Sequence, residues 1–229
     1  MAKEVKKENE AAANVANAVS KAEQFLETNK KLIWGIIGAL VVIAGISYIC
    51  YKFVYLPKKA EAQEQMYKAE ANFREGNFEL ALNGYGNVLG FEQIISDYGA
   101  KGGNDVYLYA AICELNIEDT TGTANDKALK YLAKYSSKDA TMAGRAEGLK
   151  GDVYCNKAEY AKAAACFIKA AEVSDNVFSA GYLVKAGQAY EALGENAKAL
   201  AAYKKVKDNY PQSMEAYDID KYITRVEVK

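Results

Sequence analysis

The stretch GDVYCNKAEYAKAAACF, residues 151–167, gathers Cys155 and Cys166 with Asp152 and Lys157, and a thiol near a lysine and a carboxylate is a combination that nucleophilic chemistry uses. A cysteine becomes reactive when a base or positive surroundings lower its pKa. Histidine is absent from the 229 residues, which removes the commonest general base, the usual triad member and the most frequent zinc ligand together. Lys157 stands two positions from Cys155, and side chains so spaced on a helix point apart. The four cysteines, Cys50, Cys113, Cys155 and Cys166, form no C-x-x-C pair and are too scattered for a disulfide framework. The acidic run NIEDTTGTAND lacks the D-x-D-x-D-G order of a calcium loop, and no phosphate-cradling glycine loop occurs. We therefore expect no catalytic residues, no cofactor, no metal, and a chain that is not an enzyme.

The elements that position these residues are helical. A hydrophobic content of 51% with only two prolines describes folded, mainly helical material. The 29 basic and 30 acidic residues nearly cancel, so a nucleic-acid partner, which requires a basic face, is not expected.

From Leu32 to Tyr51 the sequence LIWGIIGALVVIAGISYICY runs 20 residues without a charge, the length of a helix that crosses a bilayer. Trp34 stands near one end and Tyr48, Tyr51 and Tyr55 near the other, as in aromatic belts, with Lys30, Lys31 and Lys52 bracketing the segment. A cleaved signal peptide has a shorter apolar region and leader. Lysines lie on both sides, so their count does not fix the orientation. Before the span, Val15, Val19, Ala22 and Leu26 share a helical stripe. This divides the chain into a tail at 1–31, a membrane helix at 32–56 and a folded region at 57–229.

Beyond Pro57 the sequence repeats. Gly151, Tyr154, Ala158, Tyr160, Ala163, Phe167 and Ala170 return 36 residues later as Gly187, Tyr190, Gly194, Asn196, Ala199, Tyr203 and Val206. A related run appears as Ala69, Gly76, Phe78, Ala81, Tyr85 and Val88. A more degenerate unit joins YLYAAICEL, 107–115, to ANDKALKYLAKY, 124–135. These spacings resemble the tetratricopeptide repeat, in which small residues stand where paired helices touch and large ones fill beside them. The resemblance implies an all-α fold: one N-terminal transmembrane helix, then a superhelix of about four helix-turn-helix units with a capping helix. Gly76 and Gly194 are placed for turns, with Ala158 at the corresponding position of the third unit. The insertion LGFEQIISDYGAKGGN, 89–104, is expected to extend the second helix of the first unit. Ala216, Ile219, Ile223 and Val226 lie on one face of the expected cap.

The same resemblance implies a binding scaffold with a concave wall. Its candidate partner-binding residues are Gln63, Met66, Glu70, Phe73 and Arg74 in the first unit, Arg145, Gly148, Asp152, Cys155 and Asn156 in the third, and Val184, Gln188 and Glu191 in the fourth. Some relatives grip chaperone C-termini with a lysine–asparagine clamp; Gly148, Asp152, Val184 and Gln188 occupy those positions here, so that docking mode is not expected. Taken together, tail, span and repeats resemble the YfgM-type ancillary translocon subunit of bacteria. That family implies a single-pass inner-membrane protein with periplasmic repeats, whose protein partners are translocon subunits, periplasmic chaperones and nascent secreted chains. A general envelope-assembly or cell-division adaptor, or a cytoplasm-facing signalling adaptor, are the alternatives.

Overall fold

A computed structural model describes residues 20–21, 24–119 and 122–228, which form two compact units, Met1–Pro57 and Lys58–Lys229. Val15, Val19 and Ala22 of the proposed N-terminal stripe lie outside the described residues; Leu26 is helical and exposed.

In the first unit, α1 (Lys30–Cys50) has no buried side chain. Its 21 residues span about 32 Å at 1.5 Å per residue, enough for a hydrocarbon core of roughly 30 Å. One N-terminal helix is thus long and apolar enough to cross a membrane. A π-helical turn, Tyr51–Tyr55, follows; Tyr51 and Tyr55 stack at 5.6 Å between ring centroids, and the Lys52 ammonium lies 6.0 Å from the Tyr48 and Phe53 rings. Aromatic rings and a lysine therefore gather at this end of the apolar segment, as a water–lipid boundary favours.

The second unit is built from helical hairpins. Helix α2 (Leu56–Arg74) turns into α3 (Phe78–Asn83); α5 (Asp105–Asn116) pairs with α6 (Ala124–Lys134), α7 (Ala140–Asn156) with α8 (Tyr160–Ser174), and α9 (Ser179–Ala192) with α10 (Asn196–Asn209). A 3-10 turn, Met214–Asp218, and α11 (Ile219–Glu227) close the stack. Ile219, Ile223 and Val226 are buried against α9 and α10, which is the cap the sequence predicts. Each buried cluster is shared by successive hairpins: Phe91 and Val106 join the first to the second, Leu108 and Val153 the second to the third, Phe167 and Ala186 the third to the fourth. Neighbour-to-neighbour burial of this kind is how a repeat array becomes stable.

Three hairpins turn in the same way. Asn77 N–H donates to Asn72 O, Glu159 N–H to Tyr154 O and Glu195 N–H to Tyr190 O, at 2.8–2.9 Å, and the residue before each donor has positive φ. In two turns that residue is glycine, Gly76 at 78° and Gly194 at 73°; in the third it is Ala158 at 55°. A left-handed backbone costs an L-residue about 1–2 kcal/mol, so the third turn is strained where the others are not.

The first hairpin departs from the sequence expectation. Its second helix is not extended through 89–104; α3 ends at Asn83, and Gly84–Tyr85 pairs antiparallel with Val88–Leu89 before α4 (Phe91–Tyr98) begins. Gly84 has φ of 78°, and a methyl group on it would overlap the Val88 carbonyl. One on Gly90 would overlap the Leu82 carbonyl, so the crossing of these strands admits only glycine at both positions.

Between paired helices, a Cβ at Gly151 would stand 2.5 Å from Phe167 Cε1, and one at Gly187 would overlap the Tyr203 ring. Helix propensity alone makes Gly→Ala stabilising by about 1 kcal/mol, but overpacking a buried contact costs about 1–3 kcal/mol. Gly187→Ala is therefore expected to destabilise the full chain, with a lowered urea midpoint followed by circular dichroism in detergent; an unchanged or raised midpoint contradicts the packing assignment. Ala158→Gly relieves the strained turn and is expected to stabilise by up to about 1 kcal/mol in the same assay; a loss of stability would show that Ala158 is not held by its backbone angle.

Candidate protein-binding surface

The third and fourth hairpins place α7 beside α9. Gly148 makes this possible, because a side chain there would collide with the ring of Tyr182. One turn further along, Lys185 Nζ donates to both carboxylate oxygens of Asp152, at 2.7 and 3.0 Å. The same ammonium lies 5.5 Å from the Phe167 ring centroid. Asp152, Cys155, Gln188 and Lys185 line one depression of about 220 Å³ together with Tyr160 and Phe167. Lys185 also borders a second, more apolar groove of about 470 Å³, walled by Phe178, Tyr182, Met214 and Glu215.

Of the expected wall residues, Asp152, Cys155 and Gln188 converge. Gln63, Arg74 and Arg145 are exposed, and Arg74 lies 5.8 Å from the Tyr67 ring. Glu70 is half-buried; burial raises its pKa, opposed by Arg74 and reinforced by Asp105. Asn156 is exposed and donates to Asn125 Oδ1 at 3.2 Å, tying the end of α7 to the start of α6.

Four expected residues serve the interior. Met66 is buried with Ala69, Ala81 and Phe91, because the apolar stripe of α2 faces α3 and α5. Phe73 packs on Phe78 and Tyr109, with ring centroids 5.6 and 4.8 Å apart. Val184 packs against the core of the last hairpin. Glu191 accepts from Tyr203 Oη at 2.6 Å and Arg225 Nε at 2.9 Å, so its carboxylate fastens α11 to α9. Charge-assisted bonds to a side chain only 11% exposed are a structural role.

Sequence reasoning missed Lys185, Phe178, Met214 and Glu215. Lys185 was within reach, since it lies one helical turn before Gln188 and so shares its face. Phe178, Met214 and Glu215 stand in connections between helices, where repeat spacing carries no information.

Three of the thiols sit in surroundings that disfavour the thiolate. Burial pushes Cys155 up, Asp152 adds to the rise, and Lys185 opposes it. Burial raises Cys166 too, and pushes Cys113 up to about 12. Among the described residues all four cysteines are free thiols, and no cluster of three or more ligating side chains is placed to hold a metal ion.

Residues 182–213, which cover most of α9, all of α10 and the turn after it, match the family model of the tetratricopeptide repeat. The described residues are thus almost wholly helical, with a long apolar N-terminal helix followed by stacked helical hairpins consistent with a tetratricopeptide-repeat superhelix, the last of which matches the repeat model. Such repeats are protein–protein interaction modules, and protein partners are the class of ligand this fold takes. No curated protein matches the chain.

At neutral pH a raised pKa leaves less thiolate than in an ordinary cysteine. With Cys50 and Cys166 replaced by serine, iodoacetamide should modify Cys155 more slowly than a free thiol, and Asp152→Asn should accelerate the reaction by removing the carboxylate and releasing Lys185. Labelling at the rate of an exposed peptide cysteine, unchanged by Asp152→Asn, contradicts this environment.

Proposed function

We propose that this chain is a membrane-anchored scaffold, with residues 1–31 as a cytoplasmic tail, 32–56 as a single inner-membrane span and 57–229 as a periplasmic repeat region. Its partners are translocon subunits, periplasmic chaperones and secreted or envelope proteins in transit. The observation that carries the reading is the surface shared by α7 and α9, where Asp152, Lys185 and Gln188 line a depression accessible to a partner chain. An apolar helix with no buried side chain supports the anchor. The likeness of tail, span and repeats to the YfgM type supports the choice of compartment and partners.

The mechanism is tethering. Confinement to one membrane raises the effective concentration of scaffold and partner, so contacts too weak to hold in solution suffice. The reading asks no chemistry of the repeats, in keeping with thiols whose pKa values are raised rather than lowered.

A photocrosslinking amino acid at position 188, activated in native membranes, is expected to recover translocon subunits or periplasmic chaperones. Recovery of neither would contradict the assignment. Protease added to sealed vesicles should cleave the repeats only from the periplasmic side; digestion solely from the cytoplasmic side would overturn the orientation.

A further inference from the structure

Between the start of α9 and the 3-10 turn Met214–Asp218 lies the groove of about 470 Å³ introduced above. Three of its large apolar side chains face solvent: Val177 is 56% exposed, Phe178 61% and Met214 86%. Single exposed apolar residues are ordinary on a protein surface, but three around one concavity mark a docking position. At Gly181 an added Cβ would stand 3.1 Å from Glu215 Oε1, so the missing side chain lets the Glu215 carboxylate reach over α9 at the groove.

The charges of the groove select the guest. Lys185 is neutralised by Asp152, to which it donates twice. Glu215 is half-buried on the opposite wall and has no hydrogen bond or ion pair among the described residues. Among the residues that line the groove the uncompensated charge is therefore negative, with the exposed Arg145 standing outside the lining near Tyr182. A carboxylate beside an apolar surface favours a cation delivered with apolar side chains and disfavours an anionic lipid surface.

We propose that this groove docks a segment of a partner protein that places large apolar side chains among Phe178, Tyr182 and Met214 and directs a lysine or arginine to Glu215. The inference rests on the scaffold reading and names the chemistry of its partner. Lys185 borders both this groove and the Asp152 depression, so one extended segment reaches from the first to the second.

The test uses the full chain in phosphatidylcholine nanodiscs and fluorescein-labelled peptides of leucine, phenylalanine and one arginine in a serine–glycine background, with glutamate replacing arginine in the matched control. The arginine peptide should bind roughly fivefold tighter than the glutamate peptide. Glu215→Gln should remove the difference and Glu215→Lys should reverse it, while the double variant Phe178→Ser, Met214→Ser should weaken both peptides roughly tenfold. Equal binding of the two peptides by the wild-type chain overturns the proposal. Binding only with phosphatidylglycerol nanodiscs overturns it in favour of a lipid surface. Concentration-dependent self-association abolished by Met214→Ser overturns it in favour of a second copy. Crosslinking from position 188 separates the two readings: partner recovery that persists in a chain without peptide discrimination sinks only this inference, whereas absent recovery in the wild type sinks the scaffold reading.

Discussion

Phe167 seated on Gly151, and Tyr203 seated on Gly187, fix how closely the two helices of each of the last hairpins approach. The aromatic ring fills the space that a methyl group would need, so helix separation is set by one pair of residues in each hairpin. The contact is repeated 36 residues apart, which makes successive hairpins superimposable units. A stack of such units buries a continuous core although each hairpin alone could not. Tyr203 is buried at 0% exposure and Phe167 at 1%, so both rings lie wholly within the packing between helices.

The candidate surface follows from this spacing. Gly148 lets Tyr182 lie across α7, and α7 and α9 then run close enough for Asp152 and Lys185 to pair. Such a pair, with side chains 37% and 47% exposed, contributes little to stability. In the proposed docking it acts on recognition, since it removes one positive and one negative charge from the groove lining and leaves Glu215 as the uncompensated charge there. Fastening of the cap depends on a different set: Glu191 holds Arg225 and Tyr203, which keeps α11 over the last apolar face.

Much of the fold was legible in sequence because packing at fixed intervals leaves a fixed period. Gly151, Tyr154, Ala163 and Phe167, with their counterparts at 187, 190, 199 and 203, are the residues the interior requires, and the uncharged run from Leu32 to Tyr51 states its own length. The hairpin at Gly84–Leu89 was not legible, because its glycines act through backbone approach to Val88 and Leu82 rather than through a repeated side chain. The candidate surface was legible only in part. A position on the wall predicts which way a side chain points and not what it meets there. Met66 and Phe73 were absorbed by the first core and Glu191 by Arg225. Lys185 gained its place through Asp152, 33 residues away, a partnership that no local spacing announces.

The ring-on-glycine contact is tested most directly by a double-mutant cycle combining Gly187→Ala with Tyr203→Leu in the full chain, read by urea unfolding. If the methyl group destabilises by meeting the ring, removing the ring makes room for it, and the two changes together should cost at least about 1 kcal/mol less than their sum. Strict additivity would contradict the account, because it would mean that the glycine and the ring do not constrain each other.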